Sequence, residues 1–138
     1  MKHLTILALL GASLVLAGCS SHKVKLEPNS TYVVEWIGAL PLIDNSYLTI
    51  TLDQDGRAFG TAGCNHWFAS YTMKDQQISF GPAGSTRMMC APALMEQEQR
   101  FLEALSQVQR WDLSANDQLQ LWPAEGKPIR MWPEENGI

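Results

Sequence analysis

The chain has 138 residues with a net charge of −4, 46% apolar and 17% charged residues, and a pI near 5.2. That length fits a single domain. So low a charge content excludes a disordered polyelectrolyte. The mild acidity, with no cluster of Lys or Arg, excludes a nucleic-acid footprint.

The first eighteen residues stand apart from the rest. Met1-Lys2-His3 is a short basic start, and Leu4 to Leu16 is apolar except at Thr5, Gly11 and Ser13. The run is too short for a membrane span of about 20 residues and has the layout of a secretory leader. Its end, Leu16-Ala17-Gly18-Cys19, resembles a bacterial lipobox, which implies cleavage before Cys19 and acylation of that residue. The expected division is therefore a leader over 1–18, a lipidated tether over 19–30 and one domain over 31–138. The mature chain would have 120 residues and, with Lys2 removed, a charge of −5. More than one acyl chain makes anchoring stable, at about 0.8 kcal/mol per buried methylene. Residue 20 is Ser, whereas an Asp there resembles an inner-membrane retention signal. The expected location is the outer membrane, facing the periplasm.

Along the mature chain, Tyr32–Ile37 is rich in β-formers. Leu48–Leu52 alternates with period two, which predicts a strand with its apolar face inward and its Thr face outward. Asp53-Gln54-Asp55-Gly56 then reads as a hairpin turn, with Asp55-Gly56 at the apex. It lacks the third ligand and terminal Glu of a calcium loop. Arg57–Gly60 pairs back, and Gly60, Gly63 and Cys64-Asn65 mark a bend. Strands follow at Trp67–Tyr71 and Gln77–Phe80, separated by a turn at Lys74–Gln76. Gly81–Gly84 breaks the second of them.

Exported proteins meet oxidising conditions. With Cys19 acylated, the remaining pair Cys64 and Cys90 reads as a disulfide, with two buried thiols as the alternative. A metal site has little support, because His66 near Cys64 makes only a fragment of one. No metal or other cofactor is expected.

One helix is predicted from Pro92 to about Gln107, with Pro in the first turn. Leu94, Met95, Phe101, Leu102, Leu105 and Val108 form its apolar stripe, while Glu96, Gln99, Arg100 and Glu103 face away. Glu98 falls near the centre of the stripe. A carboxylate cannot be buried there without a partner. Arg87, whose planar fork suits a carboxylate, is the expected partner, supported by Asn65 or Thr86. A hairpin over Gln109–Leu113 and Gln118–Trp122 turns at Asn116-Asp117, and Ile129–Trp132 is the last strand. About seven strands and one helix make a mainly β (α+β) domain, an antiparallel, strongly curved sheet or small barrel with the helix packed on it.

Three segments in order, Gly60-Thr-Ala-Gly-Cys-Asn65, Thr86-Arg-Met-Met-Cys-Ala91 and Glu98-x-x-Phe101-Leu102, followed by the hairpin of Trp111 and Leu119, resemble the META domain family. Within it they resemble the heat-shock lipoprotein (HslJ-like) subgroup. The resemblance covers about Ser30 to Trp132. It implies a lipocalin-topology-like barrel, no enzymatic activity, and an association with heat-shock induction and novobiocin resistance. Of the five tryptophans, Trp36, Trp67, Trp111, Trp122 and Trp132, most are expected in packing. Joint exposure of Trp122 and Trp132 would favour a peptide or glycan contact. The leading expectation is a monomeric, membrane-tethered protein without catalysis that supports the envelope under stress. A barrel for a small apolar ligand and an inhibitor or chaperone of an envelope protein are the other classes, and an enzyme comes last. No nucleic-acid partner is expected.

Overall fold

A computed structural model describes residues 26–135. The expected leader, the expected acylation site Cys19 and the first part of the expected tether lie outside the described residues. The packed region starts before the expected boundary at residue 30. Leu26 is buried in the core and the Asn29 N–H donates to the Leu52 carbonyl at 2.8 Å.

Ten strands and one helix follow in the order β1 (Thr31–Ile37), β2 (Leu40–Pro41), β3 (Thr49–Leu52), β4 (Arg57–Thr61), β5 (His66–Lys74), β6 (Gln77–Phe80), β7 (Gly84–Ser85), α1 (Pro92–Ser106), β8 (Val108–Leu113), β9 (Leu119–Pro123) and β10 (Ile129–Pro133). The order β10-β9-β8-β6-β5-β4-β3-β1 is closed by pairing of β1 with β10, giving an eight-stranded antiparallel barrel. Closure removes the unpaired edges that would template aggregation. The two-residue strands β2 and β7 add to β1 and β5. They are too short to leave a periodic signal in the sequence.

Side chains alternate about each strand. Val34, Ile50, Ala58, Trp67, Ile78, Leu121 and Met131 point inward and fill the barrel, as expected for a small one. Helix α1 adds Phe101 and Leu105, both fully buried. The Phe101 ring meets Trp67 edge to face at 5.3 Å, and burying such a side chain contributes about 1.5–3 kcal/mol.

The hairpin between β3 and β4 forms where its turn residues place it. Gly56 takes φ +80°, the left-handed position of a three-residue hairpin loop that glycine accepts without strain. The Asp53 carboxylate accepts the N–H groups of Asp55 (2.9 Å) and Arg57 (2.8 Å) and the Arg57 Nε–H (2.9 Å). These bonds, the one from the Arg57 backbone foremost, hold its pKa below the usual carboxylate value.

One sequence expectation for β3 is corrected. The Thr face is not solvated, since Thr49 and Thr51 are both buried. The Thr51 hydroxyl pairs with that of Thr31 at 2.8 Å, and Thr49 Oγ1 accepts the Thr61 N–H at 3.1 Å. Tyr47, Phe59 and Phe68 line the groove above them. Hydroxyls satisfied by neighbouring strands lose little on leaving water, so period two alone does not decide which face is wet.

Gly60 has a specific reason. The β3–β4 ladder opens there, and the Thr49 carbonyl turns to accept the Trp67 indole N–H at 3.0 Å. A Cβ on Gly60 would overlap that carbonyl.

Candidate functional site

The three motif segments meet at one end of the barrel. Between β4 and β5 the chain reverses through Gly63 at φ +99°, and the Ala62 N–H closes the turn on the Asn65 carbonyl at 2.7 Å. This aims Asn65, the residue before β5, at the buried stripe of α1. Glu98 lies there, one turn after Leu94 and one before Phe101 and Leu102. After β7, the Thr86 N–H donates to the His66 carbonyl at 3.0 Å. That bond brings the segment 86–90 alongside.

Asn65 is the hub. Its backbone N–H donates to Glu98 Oε2 and its Nδ2 to Glu98 Oε1, both at 2.8 Å. Its Oδ1 accepts the Met88 N–H at 2.7 Å and the Thr86 hydroxyl at 3.0 Å, and Nδ2 also reaches the Met88 carbonyl at 3.4 Å. Thr86 Oγ1 in turn accepts the His66 N–H at 3.1 Å. Both oxygens of the Glu98 carboxylate and both ends of the Asn65 carboxamide therefore have partners. A buried polar network is stabilising when its members are satisfied in this way. One residue before Asn65 and two after Met88, the Cys64–Cys90 disulfide joins the same segments, with Cα atoms 6.0 Å apart.

Arg87 does not take the role expected of it. Among the described residues the ion pairs join Arg57 to Asp53 and Asp55, and Arg110 to Asp112. None joins Arg87 to Glu98, and Arg87 is exposed. The physical reason lies in the donors already present. A backbone N–H and a carboxamide N–H satisfy the carboxylate without stripping water from a guanidinium, whose desolvation a buried ion pair must offset. Asn65 and Thr86, expected as supports, carry the network themselves.

Gln97 was missed. It is buried beside Glu98, with Oε1 accepting the Ile43 N–H at 2.8 Å and Nε2 donating to the Ser46 hydroxyl at 3.0 Å. It ties the 42–46 loop to the helix as Glu98 ties the 62–65 turn. The same helical wheel that singles out Glu98 places Gln97 100° away, on the edge of the apolar stripe, so a signal for it existed. The Met88 backbone, by contrast, leaves no mark in side-chain pattern.

The tryptophans divide between core and outer wall. Trp67 and Trp111 are buried, and the Trp111 indole donates to the Asp75 carbonyl at 2.9 Å. On the outside, Arg130 stacks on Trp36 at 4.5 Å and Arg110 on Trp122 at 4.6 Å. Trp132 is exposed and donates to Glu35 at 3.1 Å, whereas Trp122 is half-buried and donates to Asp112 at 2.9 Å. The two do not form the jointly exposed pair that would favour a peptide or glycan contact.

Chemically, the arrangement fastens. Its carboxylate points inward at amides. Among the described residues no three His, Cys, Asp or Glu side chains converge as a metal site would require.

No curated protein matches the chain. Two solved structures do. One is described as an NMR structure of the protein from Burkholderia xenovorans, 27% identical over 88% of this chain and 100% of that one, with a TM-score of 0.64. The other, described only as an NMR structure of the protein, is 26% identical over 75% of this chain and 87% of that one, with a TM-score of 0.58. The family model for the META domain matches residues 24–136, well over half of the chain, and the chain belongs to that family.

Proposed function

We propose that this chain is a non-enzymatic, HslJ-like lipoprotein, anchored through Cys19 to the outer membrane and facing the periplasm, that supports the cell envelope under heat or antibiotic stress such as novobiocin. The observation that carries the non-enzymatic part is the hub at Asn65. The polar residues of the family motifs satisfy one another and hold a loop, with Glu98 turned away from solvent. A catalytic carboxylate needs access to a substrate. The lipobox supports the anchor, and Ser20 supports the outer membrane.

The filled interior weighs against a ligand-binding barrel. Val34, Ile50, Trp67, Phe101 and Met131 occupy the space that a lipid or drug would need. A second reading, binding of an envelope protein, is favoured by Phe59 and Phe68. They sit opposite each other on β4 and β5, on the outer face, and are 43% and 59% exposed. Paired large aromatics on a solvated face mark contact surfaces more often than scattered ones do.

Complementation of a strain lacking the protein tests both. Wild type is expected to restore growth under heat or novobiocin, and Cys19→Ser to fail. Glu98→Gln, held below its melting temperature, is expected to protect as wild type does. Failure of folded Glu98→Gln would overturn the non-enzymatic reading, and protection by Cys19→Ser would overturn the anchor. Loss of protection in a folded Phe59→Ser, Phe68→Ser double variant would favour the second reading.

A further inference from the structure

The fastened segment presents something. Met88 is held at both its N–H and its carbonyl, Thr86 by its hydroxyl and Cys90 by its disulfide. Between these points the side chains face solvent. Met88 is 52% exposed and Met89 89%, the most exposed large apolar side chain among the described residues. Met131 is its internal contrast, fully buried in the barrel, and Met73 stands between at 40%. Both cysteines of the described residues are joined to each other. The thioethers are then the softest and most readily oxidised groups left, and reactivity among them follows access.

We propose that Met89, followed by Met88, is an oxidation site for hydrogen peroxide and related two-electron oxidants, and that its conversion switches the polarity of this tip while leaving the barrel folded. The reaction is an oxygen transfer. The Met89 sulfur attacks one peroxide oxygen, an S–O bond forms as the O–O bond breaks, and the second oxygen leaves as water after taking up the proton of the first. Sulfur is oxidised by two electrons and peroxide is reduced by two. The product is a sulfoxide, a strong hydrogen-bond acceptor where an apolar thioether had been. The fold tolerates it because every fastener of the loop is a backbone group, Asn65, Thr86 or the disulfide, and none is a methionine side chain. The inference does not depend on the envelope role proposed above.

The test uses the full chain, purified and treated with limiting hydrogen peroxide. Tandem mass spectrometry of the digested chain is expected to show Met89 oxidised first, Met88 and Met73 later, and Met131 slower by about tenfold or more. After the first oxidation the melting temperature is expected to stay within about 2 °C, and retention on a phenyl column to fall. Met89→Leu is expected to remove the first-reacting site without changing the rate at Met73. Oxidation of Met131 or Met73 as fast as Met89, a fall in melting temperature that tracks the first sulfoxide, or unchanged retention would each overturn the proposal.

Discussion

Replacing Glu98 by Gln removes one carboxylate oxygen and changes little else in size. Both oxygens accept N–H groups, one from the Asn65 backbone and one from its side chain. A carboxamide accepts with only one of its two ends, so its NH₂ must face either the Asn65 N–H or Asn65 Nδ2, which then keeps only its long bond to the Met88 carbonyl. The loss comprises one charge-assisted hydrogen bond and one buried donor left unsatisfied, together about 2–4 kcal/mol. For a domain of this size about 4 °C of melting temperature corresponds to 1 kcal/mol, which predicts a fall of about 8–16 °C. Circular dichroism melts, with urea titration as a check on the slope, measure it. Arg87→Ala is the decisive companion. An exposed side chain outside the network is expected to shift stability by less than about 0.5 kcal/mol. Glu98→Gln with an unchanged melt, or Arg87→Ala with an equal loss, would refute the reasoning, and the second result would reinstate the ion pair.

Gly60→Ala is expected to cost about 1–3 kcal/mol, because the new methyl overlaps the Thr49 carbonyl and displaces its bond from Trp67; thermal melts check it. Removing the disulfide with Cys64→Ala and Cys90→Ala is expected to cost about 3.5 kcal/mol on the chain-entropy estimate for its loop, while Asn65 keeps the segment 86–88 in place, visible as unchanged amide shifts there. Gln97→Ala is expected to cost about 1–3 kcal/mol and to raise amide exchange at Ile43, whose N–H it leaves without a partner. Since the Asp53 pKa is lowered in the folded state, its contribution is present above the ordinary carboxylate value of about 4 and disappears as pH falls through the lower folded value. Melting temperature should therefore decline with acidification below about pH 4, and Asp53→Asn should flatten that decline.

The barrel was legible in the sequence because most of its strands follow local rules. Asp55-Gly56 and Asn116-Asp117 mark their turns by backbone preference, and the inward residues alternate. The helix declared itself through Pro92 and its apolar stripe, although Val108, expected as the last member of that stripe, instead opens β8. The Thr face of β3 was misread because burial there depends on Thr31, Tyr47 and Thr61, which come from other parts of the chain. At the candidate site the participants Asn65, Thr86 and Glu98 were identifiable, since a carboxylate on an apolar stripe demands partners. The pairing was not. A sequence displays Arg87 as a charged side chain and hides the Asn65 and Met88 N–H groups, although short backbone donors compete well for a buried acceptor. Gln97 escaped because an amide on the edge of a stripe raises less alarm than a charge.

Hydrogen exchange at the amides of Asn65 and Met88 probes the hub directly, since each donates to a buried acceptor supplied by the network. Both are expected to exchange with the slow population of the barrel strands, and both to speed up together in Asn65→Ala or Glu98→Gln. Exchange at the rate of an unstructured loop in the unaltered chain would show that the motif residues do not fasten this segment.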